Sequence, residues 1–357
     1  MKRIISCSLS PNTERDDVWL ALRILFSPWK WKRGAAISKA EAHFGGVSFN
    51  SGRAALFAIL RAFGIGEGDE VVLQAFTCVA VADAIRRTGA IPVYADINDS
   101  YTMDVVDFAK KITKKTKAVI VQHTFGVPAD MDAVLAVAKK NNIRVIEDFA
   151  HTMSLPLCGD AGFYTFGRDK VLSSVFGGLA LMRDNATLKK YHKKLEYPSS
   201  FWIVQQLLHP VAFSVILPLY RSGIGKILLV LLQRLHVVSF PHISEIKRYP
   251  NALALLLVHQ LKKLERYTKE RRQISKLYGK DFAYLRYPML VADPQAVRAK
   301  AKKQGILLGN WYHNVVDPAD AGYRKGSCPK AEEAARHIIN LPTRITPAEA
   351  KRVKDVL

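Results

Sequence analysis

The chain has 357 residues, 49% hydrophobic and 24% charged, a composition that suits a globular protein with a large core in one or two domains. Its four cysteines, Cys7, Cys78, Cys158 and Cys328, are scattered without a CxxC pair or metal-ligand spacing, which argues against a disulfide framework or a metal site and fits a reduced, cytoplasmic compartment. The formal net charge of +22 suggests a polyanionic partner (nucleic acid, an anionic membrane surface or a phosphorylated substrate) or simply a solvated basic surface, and no zinc-finger or RNA-binding signature supports nucleic acid.

Met1-Lys2-Arg3 precede too few apolar residues for a signal-peptide core. Residues 15–33 predict an amphipathic helix broken near Pro28, with Val18, Trp19, Leu22, Leu25 and Phe26 on one side. Trp29, Lys30, Trp31, Lys32 and Arg33 follow, and aromatics mixed with cations suit a membrane interface or a helix packed on the body or on a second subunit. Ser51 is a good N-cap for the helix former AALFAILRAF, and Gly52 permits close approach of an anion to that helix start, where Arg53 adds charge.

From Gly64 onward short apolar runs alternate with helical ones. VVLQA, VYADI, KAVIVQH and the run Ile143 to Ile146 read as strands, with helices from Thr77 to Thr88 and after Asp130. This pattern predicts a parallel sheet covered on both faces, with ligand groups at the carboxyl ends of its strands. Gln74, Asp96, His123, Asp148 and Lys170 all fall at or near such ends.

The stretch from Val145 to Gly178 carries the sharpest chemistry. An apolar run ends in Glu147 and Asp148, followed by Ala150 and His151; Lys170 comes after the strand-like GFYTF, then Ser173-Ser174 and Gly177-Gly178. A carboxylate at one strand end and a lysine at the next is what pyridoxal phosphate needs, the lysine forming the Schiff base and the acid partnering the pyridine nitrogen. An acid after an apolar strand is also common in any parallel α/β protein, so this spacing alone leaves both readings open.

SGRAAL, GIGEGDEVVLQAFTCVAVADAI, GAIPVYADI, TKAVIVQHTFGVPADMDAV, VIEDFAH, TFGRDK and SSVFGG follow one another as in the DegT/StrS-type sugar aminotransferases. HQLKKLERYTKERRQISKLY resembles that family's long helix entering its small domain, and CPKAEEAARHIINLPTRITPAEAKRV resembles its closing segment. The resemblance runs from about Gly45 to Val356 and implies a fold type I pyridoxal phosphate enzyme. That is an α/β protein whose large domain carries a mostly parallel seven-stranded sheet, followed by a smaller C-terminal α+β domain. It implies a homodimer that moves an amino group from glutamate, or glutamine, to a keto-sugar.

By position, the resemblance makes Lys170 the Schiff-base lysine and Asp148 the partner of the ring nitrogen. Gly52, Arg53 and Thr165 hold the phosphate, and Ala150 and His151 lie beside the ring. Lys170 must be neutral to shuttle a proton, and desolvation and a nearby cation such as Arg168 favour that. The sequence departs from the family in three places. Cys78 stands where a ring-stacking aromatic is usual, with Phe76 near but not in that position. Phe176 replaces a Glu before the Gly-Gly pair, and Ile246 replaces an Asn supplied by the partner subunit, although Arg248 keeps its basic neighbour. These departures bear on sugar specificity. They leave room for a catalytically idle scaffold, while a sugar dehydratase with His for the lysine is disfavoured by Lys170.

Between Ser200 and Pro241 the chain departs most from the family, with a segment longer than the family's usual connection. Phe201 to Tyr220 lack any Asp, Glu, Lys or Arg, the basic turn RSGIGK follows, and then ILLVLLQRLHVVSF. The extra length is about that of one membrane span, but Pro210 and Pro218 argue against a clean one. The expectation is a hairpin in the interface of an anionic membrane, or a domain or dimer contact. The chain therefore divides into a cofactor-binding domain at 1–200, the insertion at 201–240 and a small domain at 241–357.

Overall fold

Seven strands form the central sheet of the computed structural model, which describes residues 4–238, 245–317 and 322–357. The expectations for Met1 to Arg3 and for the end of the insertion, residues 239–240, lie outside the described residues. In chain order come β1 (Ile5–Ser6), α1 (Arg15–Leu25), α2 (Ala35–Phe44), β2 (Val47–Phe49) and α3 (Gly52–Ala62). β3 (Glu70–Gln74), α4 (Val79–Arg86), β4 (Ile91–Ala95), α5 (Val105–Lys111), β5 (Thr116–Gln122), α6 (Met131–Lys140), β6 (Arg144–Asp148) and β7 (Ala161–Thr165) alternate as expected. β8 (Gly178–Met182) and α7 (Ala186–Lys193) follow, then the insertion as α8 (Ser200–Leu219) and α9 (Ile224–Arg234). The family's long helix is here two, α10 (Asn251–Leu261) and α11 (Leu264–Leu277), parted at Lys262 and Lys263. β9 (Arg286–Leu290), α12 (Pro294–Lys303), β10 (Ile306–Leu307), α13 (Pro329–His337), β11 (Ile338–Pro342) and α14 (Pro347–Lys354) complete the chain.

The sheet order is β2-β8-β7-β6-β5-β3-β4, parallel from β7 to β4, with β8 antiparallel to both its neighbours. Successive strand residues join different cores. Val71, Leu73, Ile120 and Ile146 pack in one, and Val72, Val119, Val121 and Val145 in the other. A sheet buried on both faces has no polar side, which is why these strands read as continuous apolar runs.

The expected division of the chain meets two crossings. β1 pairs in parallel with β10, so the start of the chain extends the C-terminal unit, and α10 packs on α2.

α1 ends at Leu25 and a short turn covers Pro28–Lys30, near the expected break. Its buried stripe is not the expected one. Asp17, Ala21 and Ile24 face inward, while Trp19 and Phe26 are exposed. An ion-pair knot turns the helix this way, with Lys263 reaching Asp16 at 2.7 Å and Asp17 at 3.0 Å. The same carboxylates and His259 form the one metal-like grouping among the described residues, and Lys263 supplies its positive charge.

α8 runs unbroken through Pro210 and Pro218. Its polar residues point inward: Gln205 donates to the His236 carbonyl, and His209 lies 2.8 Å from the Ser10 hydroxyl. Its apolar residues Phe213 and Ile216 close a small core with α9, while Phe201 and Val215 face out.

Candidate active site

The strand ends set the floor of the site. Ser51 caps α3 by accepting the Ala54 N–H at 3.1 Å. A side chain on Gly52 would come within 2.8 Å of the Thr165 Cβ, and one on Gly178 within 2.4 Å of the Gly52 nitrogen. The start of α3 is thus pressed onto the ends of β7 and β8, and glycine is what allows it. The Arg53 side chain reaches Asp83, 3.7 Å away.

At the end of β6, Asp148 is 2% exposed and accepts the Ala150 N–H at 2.8 Å. Burial pushes its carboxyl up to about 6, against the Ala150 amide, Lys170 and His123, which pull it down. His151 accepts the Phe125 N–H on Nδ1 at 3.1 Å, which leaves Nε2 protonated and facing the Tyr312 hydroxyl at 3.2 Å. Burial, with Lys170 and Arg286, keeps this imidazole far below its usual range and therefore neutral. Behind Asp148, His123 accepts the Ala129 N–H and donates to Glu147 at 3.0 Å; Glu147 also accepts the Cys158 and Gly159 N–H groups.

Lys170 lies in the turn after β7. Its carbonyl accepts from Asn12 at 2.5 Å, and the next carbonyl, that of Val171, accepts from Asn12 and from Arg271 at 3.1 Å each. Burial lowers the pKa of its amine; Asp169, Cys78 and Asp148 oppose the shift and Arg286 adds to it. The cation beside Lys170 is therefore Arg286. Arg168, the expected one, is turned away and lies 5.0 Å over the Phe176 ring.

Two residues that sequence reasoning missed complete the site. The Lys170 amine is 4.4 Å from the centre of the Trp311 ring, and the Arg286 guanidinium carbon is 3.4 Å from the same centre. Trp311 also stacks on His151 at 5.1 Å. Its main chain is clamped by the buried Asn340, which accepts the Trp311 N–H at 2.7 Å and donates to the Trp311 carbonyl at 2.9 Å. The aromatic pair Trp311-Tyr312 after a strand, and an arginine opening the apolar run RYPML, were the available signals.

Other expected groups serve the frame. Asp96 accepts the Lys330 and Ala331 N–H groups and caps α13. Gln74 donates to Phe76, Tyr101 and Thr124 and cross-ties the loops. Phe76 packs edge-on against Tyr312 at 5.3 Å. Cys78 caps α4 without a side-chain bond, and burial raises its thiol. Ile246 is partly buried, and Arg248 donates to the His192 and Lys193 carbonyls of α7.

These residues fit pyridoxal phosphate. A buried carboxylate held ionised only by weak partners suits a protonated ring nitrogen, a lysine pushed toward neutrality suits imine formation, and a capped helix start beside Thr165 suits a phosphate.

Residues 36–308 match the model of the DegT/DnrJ/EryC1/StrS aminotransferase family. The chain is 28% identical to a pleiotropic regulatory protein of Geobacillus stearothermophilus, over 92% of this chain and 87% of that one. It is 29% identical to a UDP-N-acetyl-3-dehydro-alpha-D-glucosamine 3-aminotransferase of Acidithiobacillus ferrooxidans, over 83% and 78%. The fold matches DesV of S. venezuelae with a TM-score of 0.76 at 22% identity, covering 100% of this chain and 98% of that one.

Proposed function

Since the chain belongs to the DegT/DnrJ/EryC1/StrS aminotransferase family, a family of pyridoxal phosphate-dependent sugar aminotransferases, we propose that Lys170, Asp148 and His151 form its catalytic set. Gly52, Arg53, Thr165, Ala150 and Cys78 surround the cofactor, and the acceptor is a keto-sugar carried on a nucleotide or a lipid in the making of a surface glycan. Bound pyridoxal phosphate supplies an electron sink that lets the α-hydrogen of an amino acid leave and return as a proton. Lys170 then holds and moves that proton on its amine. Asp148 keeps a positive charge opposite it, and His151, neutral and fixed in one tautomer, donates rather than takes a proton.

The observation that carries this reading is Asp148 at the carboxyl end of β6 and Lys170 in the turn after the neighbouring parallel strand β7, with burial lowering the lysine's pKa toward the neutral amine and raising the carboxyl's to about 6. Absorption spectroscopy of the wild type and Lys170→Ala with added pyridoxal phosphate tests it. The wild type should show a near-visible band that L-glutamate or L-glutamine discharges, and the variant should show none. A variant with the wild-type band would refute the assignment of Lys170.

The apolar surface supports a location for the enzyme, as a cytoplasmic homodimer seated on the inner face of an anionic membrane. Ile224, Ile227, Val230 and Leu231 of α9 and Leu235 just after it are exposed among Arg221, Lys226 and Arg234. Exposed Trp19, Phe26 and Trp29, with Lys30, Lys32 and Arg33, lie on and after α1, the helix that packs on α8. Apolar residues ringed by cations match an anionic bilayer better than they match a second copy of a chain carrying +22. The wild type should float with phosphatidylglycerol vesicles and Ile227→Asp/Val230→Asp should not. If the wild type stays behind and the double variant instead halves the mass in solution, the face joins two subunits.

A further inference from the structure

Ser10 takes a positive φ of 49° although it is not a glycine, a costly backbone state that persists where the surroundings impose it. Two contacts do so. Its carbonyl accepts the Thr13 N–H at 3.1 Å, closing a turn with Pro11 and Asn12 at its centre, and its hydroxyl lies 2.8 Å from Nε2 of His209 on α8. Ser10 and His209 are both buried, and Leu9 packs against the small core that holds Phe213 and Ile216 of the same helix. Asn12 is fully buried, and both polar atoms of its side chain are engaged. Oδ1 accepts from Arg271, a group that can only donate, so Nδ2 must face the carbonyls of Lys170 and Val171, at 2.5 and 3.1 Å. The Asn12 carbonyl accepts in turn from Gln260 of α10 and Tyr267 of α11.

We propose that Asn12 is a positioning residue for Lys170, and that α8 of the insertion holds Asn12 in place through the turn Ser10–Thr13. That role rests on Lys170 being the Schiff-base lysine, and not on where the exposed face of α9 docks. Lys170 stands in a turn outside the sheet. Its N–H donates to the Gly167 carbonyl at 3.2 Å, within that same turn, whereas its carbonyl is tied to a distant part of the chain by Asn12. A long side chain delivers its amine accurately when its root is fixed, and this amine must meet the α-hydrogen once the donor is bound. α8 borders the same turn at a second point, where Trp202 packs against Phe176 with ring centres 5.8 Å apart. The segment that lengthens the chain beyond the family's usual connection is thus clasped to the turn that carries Lys170. No local pattern marks the clasp, because 199 positions separate Ser10 from His209 and 158 separate Asn12 from Lys170.

The test uses the full-length protein loaded with pyridoxal phosphate. It follows discharge of the near-visible band by L-glutamate and L-glutamine, and the circular dichroism of that band, which reports a chromophore held in one orientation and needs no donor. In Asn12→Ala the rate at saturating donor should fall about tenfold, the equivalent of one net hydrogen bond. The half-discharging concentration should stay within about threefold, because the loss falls on proton transfer and not on donor binding. The dichroism should fall while the absorbance stays. His209→Leu leaves every bond of Asn12 in place and should lower the saturating rate about threefold, the low end for a hydrogen bond. His209→Gln keeps a nitrogen for the Ser10 hydroxyl and should recover most of that loss. The His209 pair also reads the clasp where Asn12→Ala does not fold. A saturating rate and dichroism unchanged in Asn12→Ala overturn the proposal, even with a lowered melting temperature, since the turn would then serve stability alone. A loss in Asn12→Ala that His209→Leu does not share overturns the role given to α8. A raised half-discharging concentration with the saturating rate intact also overturns the proposal, because Asn12 would then shape the donor site. A wild type without the band overturns the assignment of Lys170 itself, and that result is seen before any variant is compared.

Discussion

Lys170 and Trp311 meet face to face, the amine 4.4 Å from the centre of the indole, although 140 positions separate them in the chain. A cation over an indole is held by about 0.5–2 kcal/mol, enough to keep a flexible lysine aimed. Removing the ring should therefore misplace the amine without unfolding the site. Trp311→Ala is expected to slow development of the near-visible band about tenfold on mixing with pyridoxal phosphate, in line with that energy. Trp311→Phe should stay within about threefold because it keeps a π-face. Stopped-flow absorbance reads both, and an unchanged Ala variant would remove Trp311 from the site.

Asp148 offers a trade between stability and function. Its carboxyl is raised from 3.8 to about 6 by burial, so the fold prefers it protonated. The ionised form costs the cofactor-free protein about 3 kcal/mol. That cost is fully present above pH 6 and is gone below about pH 4. Asp148→Asn keeps an oxygen for the Ala150 N–H and carries no charge. Without cofactor it should melt several degrees above wild type at pH 7 and lose the wild type's change in stability between pH 4 and 6, while transamination disappears. Thermal melts from pH 4 to 7 decide the matter; equal melting temperatures at pH 7 would contradict the burial argument.

His151 should not titrate in the working range. Burial and the cations Lys170 and Arg286 hold its pKa far below 6.5, and its Nδ1 is committed to the Phe125 N–H. Nitrogen-15 NMR of labelled histidine should find this ring neutral, with the proton on Nε2, down to pH 6. Tyr312→Phe removes the oxygen facing Nε2 and should lower turnover without moving the acid limb of the pH profile. A limb shifted by a full unit would mean that His151 is the titrating group.

The pair His123 and Glu147 lies just behind the reacting groups and is almost wholly buried. Glu147 has further N–H donors in Cys158 and Gly159, so losing His123 strips one partner and not all. His123→Ala should cost about 2 kcal/mol, the range for losing a hydrogen bond to a buried charged group, with urea unfolding as the measure. Asp148, the next residue along β6, should then shift, and cofactor affinity should fall with stability.

The sheet was legible because burial on both faces writes itself into each strand as an apolar run. The cofactor cradle was legible because its members are local: Ser51 with Gly52 at a helix start, Asp148 with Ala150 and His151 after one strand, Lys170 after the next. The exposed side of α1 was misread. Periodicity finds an apolar stripe, but the ion pairs of Lys263 with Asp16 and Asp17 decide which side turns inward. In α8 the prolines argued against a clean membrane span, yet the helix runs unbroken through both, because packing against α1 and α9 outweighs local propensity.

The sequence by itself determined the strands, the helix cap, the lysine and the acid, since each rests on near neighbours and on backbone periodicity. Only the tertiary structure decided which cation faces Lys170 and which aromatic lies against it. Arg168 stands two positions from the lysine but is drawn to Phe176, whereas Arg286 and Trp311 reach Lys170 from more than a hundred positions away. Charge and ring contacts depend on distance through space, and β9, β11 and the Trp311 loop are brought to the edge of β6 and β7 by Asn340 and the Asp169 pair, which no local pattern encodes.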